Sequence, residues 1–207
     1  MNKVLQSSMV FALLLTVCAP AFAQGMDKDK DKDKGKPQSA QPSSPANPPS
    51  VSIVLNRQLS GVEREIVPAA EAMPEDKFSF APTNGEFKGV RTFAQQIKHV
   101  AAANFAIGAS ILQEKSPADM GKGDGPEAMS NKAEIVKYLK DSFDYGHKAL
   151  ASVNEKNLIE SVASPFGPGK VTRLGLSVII VSHTVDHYGQ MVEYLRMNGI
   201  VPPASRQ

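Results

Sequence analysis

His183 and His187 stand four residues apart in the segment HTVDHYGQMVEYLR, which runs from His183 to Arg196 and is otherwise largely apolar. The chain has four histidines, the others being His99 and His147. On a helix, residues four apart share a face, with Cβ atoms roughly 5–6 Å apart. Two neutral imidazoles so placed can converge on one divalent ion, at metal–nitrogen distances near ~2.0–2.1 Å. A third ligand must then come from another helix. The alternative is a pair of core histidines, each of which must satisfy polar nitrogens in an apolar setting. HxxxH without a following glutamate motif is moderately specific, so both readings stand at this point.

The helical period decides where the pair faces. His183 and His187 fall together with Leu176, Ile180, Gln190 and Tyr194, a face that should point into a core. A second apolar stripe carries Leu174, Val178, Val181, Val185 and Val192. The narrow polar side holds Ser182, Asp186, Gly189 and Glu193, so Asp186 turns away from the two histidines it separates. His99 is the best third ligand. It shares a face with Thr92, Gln95, Ala102, Ala103, Ala106 and Ser110, and small neighbours leave room for an ion and a substrate. His147 sits on the flank of another apolar stripe, near Phe143 and Val136, and reads as a boundary residue.

Four helices must position these residues. Leu55, Leu59, Val62, Ile66, Ala69 and Met73 recur at spacings of three and four from Val51 onward, with Pro68 expected to kink or shorten that helix. Phe93, Ile97, Val100, Ile107 and Ile111 mark a second helix over about Val90 to Glu114. Asn131 and Glu134 form a helix-start box for a third, striped by Ile135, Leu139, Phe143, Gly146, Leu150 and Val153. The fourth spans about Val171 to Asn198 and is stopped by Gly199, Pro202 and Pro203. No strand is convincing. The expected fold is all-α, a four-helix bundle over residues 51–203, with connections after the first and third helices long enough to be crossovers.

The N-terminal quarter has a different character. Lys3, the apolar run Met9 to Val17 and Ala21-Phe22-Ala23 form a signal peptide over residues 1–23, cleaved after Ala23. Residues 24–50 hold MDKDKDKDKGK and then PQSAQPSSPANPPS, and should form a disordered tether. These features imply export to the periplasm or beyond, with no stable membrane insertion after cleavage. The one cysteine, Cys18, lies in the signal peptide, so the mature chain has no disulfide, cysteine ligand or cysteine nucleophile. A net charge of +2 on 207 residues, with no basic stripe, argues against nucleic acid as a partner. A small-molecule substrate or ligand is expected, and a homodimer is compatible with the sequence.

HTVDHYGQMVEYLRMNGIVPP resembles the last helix of DinB-like four-helix-bundle proteins, in which His-x-x-x-His-x-Gly-Gln is followed by Tyr-Leu-Arg and a Gly-Ile-x-Pro-Pro tail. AAEAMPEDKFSFAPTNGEFKGVRTFAQQIKHVAAANF looks like that family's first connection and second helix. The resemblance covers about Val51 to Pro203. It implies that His99, His183 and His187 bind one divalent ion, zinc or nickel, with an open coordination sphere, and that Gln190 lines or supports the site. Members of that family include thiol-dependent transferases and isomerases and proteins described as metal-dependent hydrolases. Export on a tether departs from the family and separates this chain from cytosolic thiols.

Three functions follow. The first is a metal-dependent hydrolase or transferase, since three histidines leave a coordination position open. The second is a non-catalytic protein that binds a metal or small ligand through the same residues. The third is a structural bundle stabilised by its ion. Because each ligand must be neutral, metal affinity is expected to fall as pH drops through the histidine range near ~6.5.

Overall fold

The computed structural model describes residues 48–206; the expected signal peptide and nearly all of the expected tether lie outside the described residues. Four helices carry the fold: α1 (Val51–Ala72), α2 (Phe93–Leu112), α3 (Lys132–Ala151) and α4 (Arg173–Met197). Short 3-10 turns at Glu75–Lys77 and Pro203–Ser205 flank them.

Each helix begins on a side chain suited to hold its unpaired amides. Ser50 caps α1 and Thr172 caps α4. Thr92 and Gln95 form a reciprocal capping box at α2, and Asn131 accepts from Ala133 and Glu134 at α3. The helix α1 runs through Pro68 without interruption to Ala72.

The apolar stripes interlock as their spacing demands. Leu59, Ile66, Phe93, Ile97, Ile107, Ile111, Ile135, Leu139, Phe143, Leu150, Leu176 and Ile180 are wholly buried. Each such side chain contributes about 1.5–3 kcal/mol by leaving water. At Gly146 a Cβ would come within 3.1 Å of the Ile180 side chain and 3.2 Å of Leu59. Glycine there lets the side chains of Leu59 on α1 and Ile180 on α4 meet at the α3 backbone.

The helix α2 packs on α3 and α4, and α1 packs on the same two, so α1 and α2 are diagonal partners, as are α3 and α4. The chain therefore crosses the end of the bundle twice, over residues 73–92 and 152–172. The first crossing is pinned where Phe93 and Ala94 donate to the carbonyls of Phe80 and Phe78. The second is pinned where Arg173 and Leu174 donate to Glu160 and Leu158. These are the crossover connections expected from loop length.

Two expectations are corrected. The second crossing contains a small antiparallel hairpin, β1 (Ser161–Ala163) paired with β2 (Lys170–Thr172). Val171 and Thr172 thus belong to a strand, and α4 starts at Arg173. Ser110 on α2 donates to the Ala163 carbonyl and ties the hairpin down. The second apolar stripe of α4 reaches the surface at Val178 and Val185, which are 55% and 51% exposed, while Val181 packs on the edge of the core. The buried face is instead Leu176, Ser177, Ile180, Thr184, His187, Met191, Tyr194 and Leu195.

Candidate metal centre

The helices α2 and α4 are neighbours, and this brings His99 to His183 and His187. The Nε2 atoms of His99 and His183 lie 3.2 Å apart, as do those of His183 and His187. Donor atoms from all three residues lie within 4.8 Å of one another. Nitrogens bound tetrahedrally to one ion at ~2.0–2.1 Å stand about 3.3 Å apart, so the observed spacing suits a shared cation.

The other ring nitrogens fix the protons. His187 Nδ1 is 2.5 Å from Gln96 Oε1, Gln96 Nε2 donates to Gln190 Oε1 at 2.8 Å, and Gln190 Nε2 donates to Asp186 Oδ2 at 3.1 Å. A carboxylate accepts only. Gln190 must therefore turn its NH2 to Asp186 and its oxygen to Gln96, which in turn offers its oxygen to His187. The proton of His187 sits on Nδ1 and the lone pair on Nε2. The same logic holds at His99, whose Nδ1 faces two acceptors, the Gly123 carbonyl at 2.7 Å and Asp124 Oδ1 at 3.0 Å. Gly123 has φ +100°, a conformation that favours glycine, and this turn brings its carbonyl to the ring.

His183 closes the set. Its Nδ1 is buried and meets no hydrogen-bond partner among the described residues. A proton on its Nε2 can serve one of the two facing lone pairs and leaves the other unanswered. Three convergent nitrogens with at most one proton among them form a site complementary to a cation, and the residues present fit a divalent metal.

Burial, reinforced for His183 by the His99 ring charge, pushes that imidazole down to about 4. Burial, then the charges of His183 and His99, brings His187 to about 4 as well. Both are neutral, and so ready to ligate, well below the window near 6.5 expected from sequence.

The remaining residues divide clearly. Asp186 is exposed and turned away from the convergent nitrogens, as the helical period required, but it ends the hydrogen-bond chain from His187. Gln190 supports the cluster through Gln96. His147 lies apart, with Nδ1 bonded to Asn56 at 2.6 Å and Nε2 to Glu63 at 3.0 Å.

Three participants were missed by sequence reading. Gln95, which the helical period sets on the His99 face, is used in capping, and buried Gln96 reaches the site instead. The available signal was the spacing: Gln96 is three residues before His99. Gly123 and Asp124 come from the α2–α3 loop, and nothing in the sequence shows where that loop returns. Arg91 holds Asp124 at 2.9 Å, and Tyr194 donates to the Arg91 carbonyl, which fastens this segment to α4.

Beside His99 a cavity of about 290 Å³ opens between α2, the loop at Met120–Gly123 and the tip of the hairpin. Ala102, Ala103 and Ala106 line its α2 side, the small residues expected beside a ligating histidine.

The family model of the DinB superfamily matches residues 58–191. Among solved structures, a DinB-like protein from Bacillus cereus is similar with a TM-score of 0.59 at 14% identity, covering 74% of this chain and 96% of that one. A DinB-like protein from Bacillus subtilis gives 0.54 at 17% identity, covering 70% and 92%. YfiT from Bacillus subtilis, described as a probable metal-dependent hydrolase with an unusual four-helix bundle topology, gives 0.54 at 16% identity, covering 80% and 94%. No curated protein matches the chain significantly. At these identities the solved structures establish the fold.

Proposed function

The chain belongs to the DinB superfamily, and from that premise we propose that it is a hydrolase of the cell envelope that depends on one divalent metal ion held by His99, His183 and His187. The observation that carries this reading is the convergence of the three Nε2 atoms, two pairs of them 3.2 Å apart. An all-imidazole set suits zinc or nickel. When bound, the ion supplies Lewis acidity, polarising a substrate oxygen at the open position.

The protein's own residues do the positioning. Asp124 and the Gly123 carbonyl hold the His99 ring by its Nδ1 proton. Asp186, Gln190 and Gln96 hold His187 by the same atom. Ligating histidines so anchored keep one tautomer and orientation, and their basicity is raised. The cavity beside His99 gives a small molecule access. The likeness to YfiT, with its printed description, supports hydrolysis as the reaction class. The Ala21-Phe22-Ala23 site and the Asp/Lys- and Pro-rich segment support export.

A second reading has one observation in its favour. Among the described residues, Asp124 and Asp186 lie near the cluster, but both act on the far side of the rings, so no carboxylate adjoins the convergent nitrogens. A site without an adjacent base would also serve a non-catalytic metal-binding protein. Protein purified from its own envelope should carry close to one zinc or nickel per chain. It should hydrolyse members of an ester and amide panel, lose that activity on chelation and regain it on metal return. Metal without turnover on any panel member would select the binding reading. No bound metal would reject both.

A further inference from the structure

We propose that the cavity beside His99 is the pocket for a compact apolar arm of the substrate, so that the preferred substrates are small carbonyl compounds carrying a phenyl-sized or branched aliphatic group. This deepens the metal-site reading and rests on it. His99 lines the cavity and turns its Nε2 toward His183, so it is the side chain shared by the cavity and the cluster. In this proposal a group held at the cluster extends past His99 along α2, beside Ala102, Ala103 and Ala106. These alanines form one wall because larger side chains at those turns would fill the space. Met120, Pro165 and Phe166 supply the rest of the apolar lining.

Size sets the class. An apolar cavity of about 150 Å³ accommodates benzene. The observed volume of about 290 Å³ leaves room for a six-membered ring and a short linker. A polymer or large cofactor would not fit within it. Among the described residues no carboxylate lines the cavity, and Lys122 is the one Lys or Arg there, so an acyl group, neutral or anionic, meets no charge repulsion from them.

Phe166 provides an independent sign. It sits at the hairpin tip, lines the cavity and is 57% exposed. A large aromatic left in water at the mouth of an apolar cavity gains burial when an apolar ligand enters. The tie from Ser110 to the Ala163 carbonyl holds the hairpin over α2 and keeps Phe166 at that mouth.

The test uses zinc-loaded protein and two hydroxamates with the same metal-directed head, acetohydroxamate and 3-phenylpropionohydroxamate, titrated by calorimetry. The phenyl compound should bind at least tenfold more tightly. Ala106→Phe, which fills the cavity, and Phe166→Ser, which removes the exposed wall, should each bring the ratio of the two affinities to within threefold of one. Phe166 is exposed, so its variant separates loss of the pocket from misfolding. A wild-type ratio near one, with acetohydroxamate bound, overturns the pocket and leaves the metal reading standing. A high ratio unmoved by either variant also overturns it, because the arm then lies elsewhere. Failure of both hydroxamates to bind the zinc-loaded protein removes the open coordination position, and with it the hydrolase reading and this proposal.

Discussion

The four histidines form two groups, and each partners its nitrogens differently. His147 spends both ring nitrogens on neighbours, Asn56 and Glu63 on α1, and so joins α1 to α3. His99 and His187 spend only Nδ1 on neighbours and turn Nε2 toward His183. A histidine saturated on both sides is an element of packing. Three histidines that turn ring nitrogens toward one another are a binding site suited to a cation. Burial does not separate the groups, since His147, His99 and His183 are all half-buried. The destination of the second nitrogen does.

The largest expected effect breaks the comparison directly. His99→Ala, His183→Ala and His187→Ala should each weaken zinc or nickel binding by more than a hundredfold in calorimetry. His147→Ala should bind as wild type does and instead lose about 1 kcal/mol of stability with its two hydrogen bonds. Metal at a hundredfold over its dissociation constant should stabilise wild type by ~2.7 kcal/mol and leave the three ligand variants unmoved. Equal binding by all four variants would dissolve the distinction.

The pH response should also separate the groups. His183 and His187 have folded values near 4 against an ordinary value of 6.5. Between those values the unfolded chain binds more protons than the folded one, so stability rises with pH. Metal-free protein should therefore be most stable above about pH 6.5 and lose several degrees of Tm as pH falls toward 4. The double variant His183→Ala with His187→Ala should flatten that part of the profile. A metal-free Tm in the wild type that does not fall from pH 6.5 to 4 would contradict the burial of these rings.

What the sequence could and could not reveal follows the same division. The stripes of α1, α2 and α3 were legible because helical periodicity reports burial directly: Ile97, Leu139 and Phe143 are all wholly buried. The convergence of His99 with His183 and His187 was legible because two are one turn apart and the third lies among alanines. The face of α4 was only half legible. That helix is apolar on two sides, and periodicity cannot say which side finds a partner; Val178 and Val185, on the second stripe, stay exposed. The hairpin was hidden by strands of three residues around a Gly- and Pro-rich tip. The partners of the Nδ1 atoms were hidden because they depend on which elements meet, and Asp124 reaches His99 from a loop twenty-five residues downstream.

Gln96 offers a smaller, sharper test. It is buried, and its amide oxygen is the partner of His187 Nδ1. Gln96→Ala removes that acceptor and frees the His187 ring to turn. Metal affinity should drop by about 10–100-fold, the usual cost of losing a partner behind a ligand, while thermal melting confirms a folded chain. An unchanged affinity would mean that packing alone orients His187.

Asp186 should produce the smallest effect, although it sits between the two histidines in sequence. Its carboxylate is the fixed end of the chain through Gln190 and Gln96, and it sets the direction in which both amides point. Three hydrogen bonds separate it from the His187 ring, it is exposed, and water can take its place as an acceptor. Asp186→Asn keeps an oxygen that can accept from Gln190 Nε2, so metal affinity should stay within a few-fold of wild type. Asp186→Lys should cost more than Asp186→Asn, because an ammonium only donates and would favour the reversed amide orientation, with the wrong atom of Gln96 facing His187. Competition titrations with a zinc chelator resolve differences of that size. Complete loss of metal in Asp186→Asn would make Asp186 itself a ligand and would contradict the outward direction that α4 gives it. Equal affinities for the asparagine and lysine variants would show that the amides are oriented by their burial and not by the carboxylate at the end of the chain.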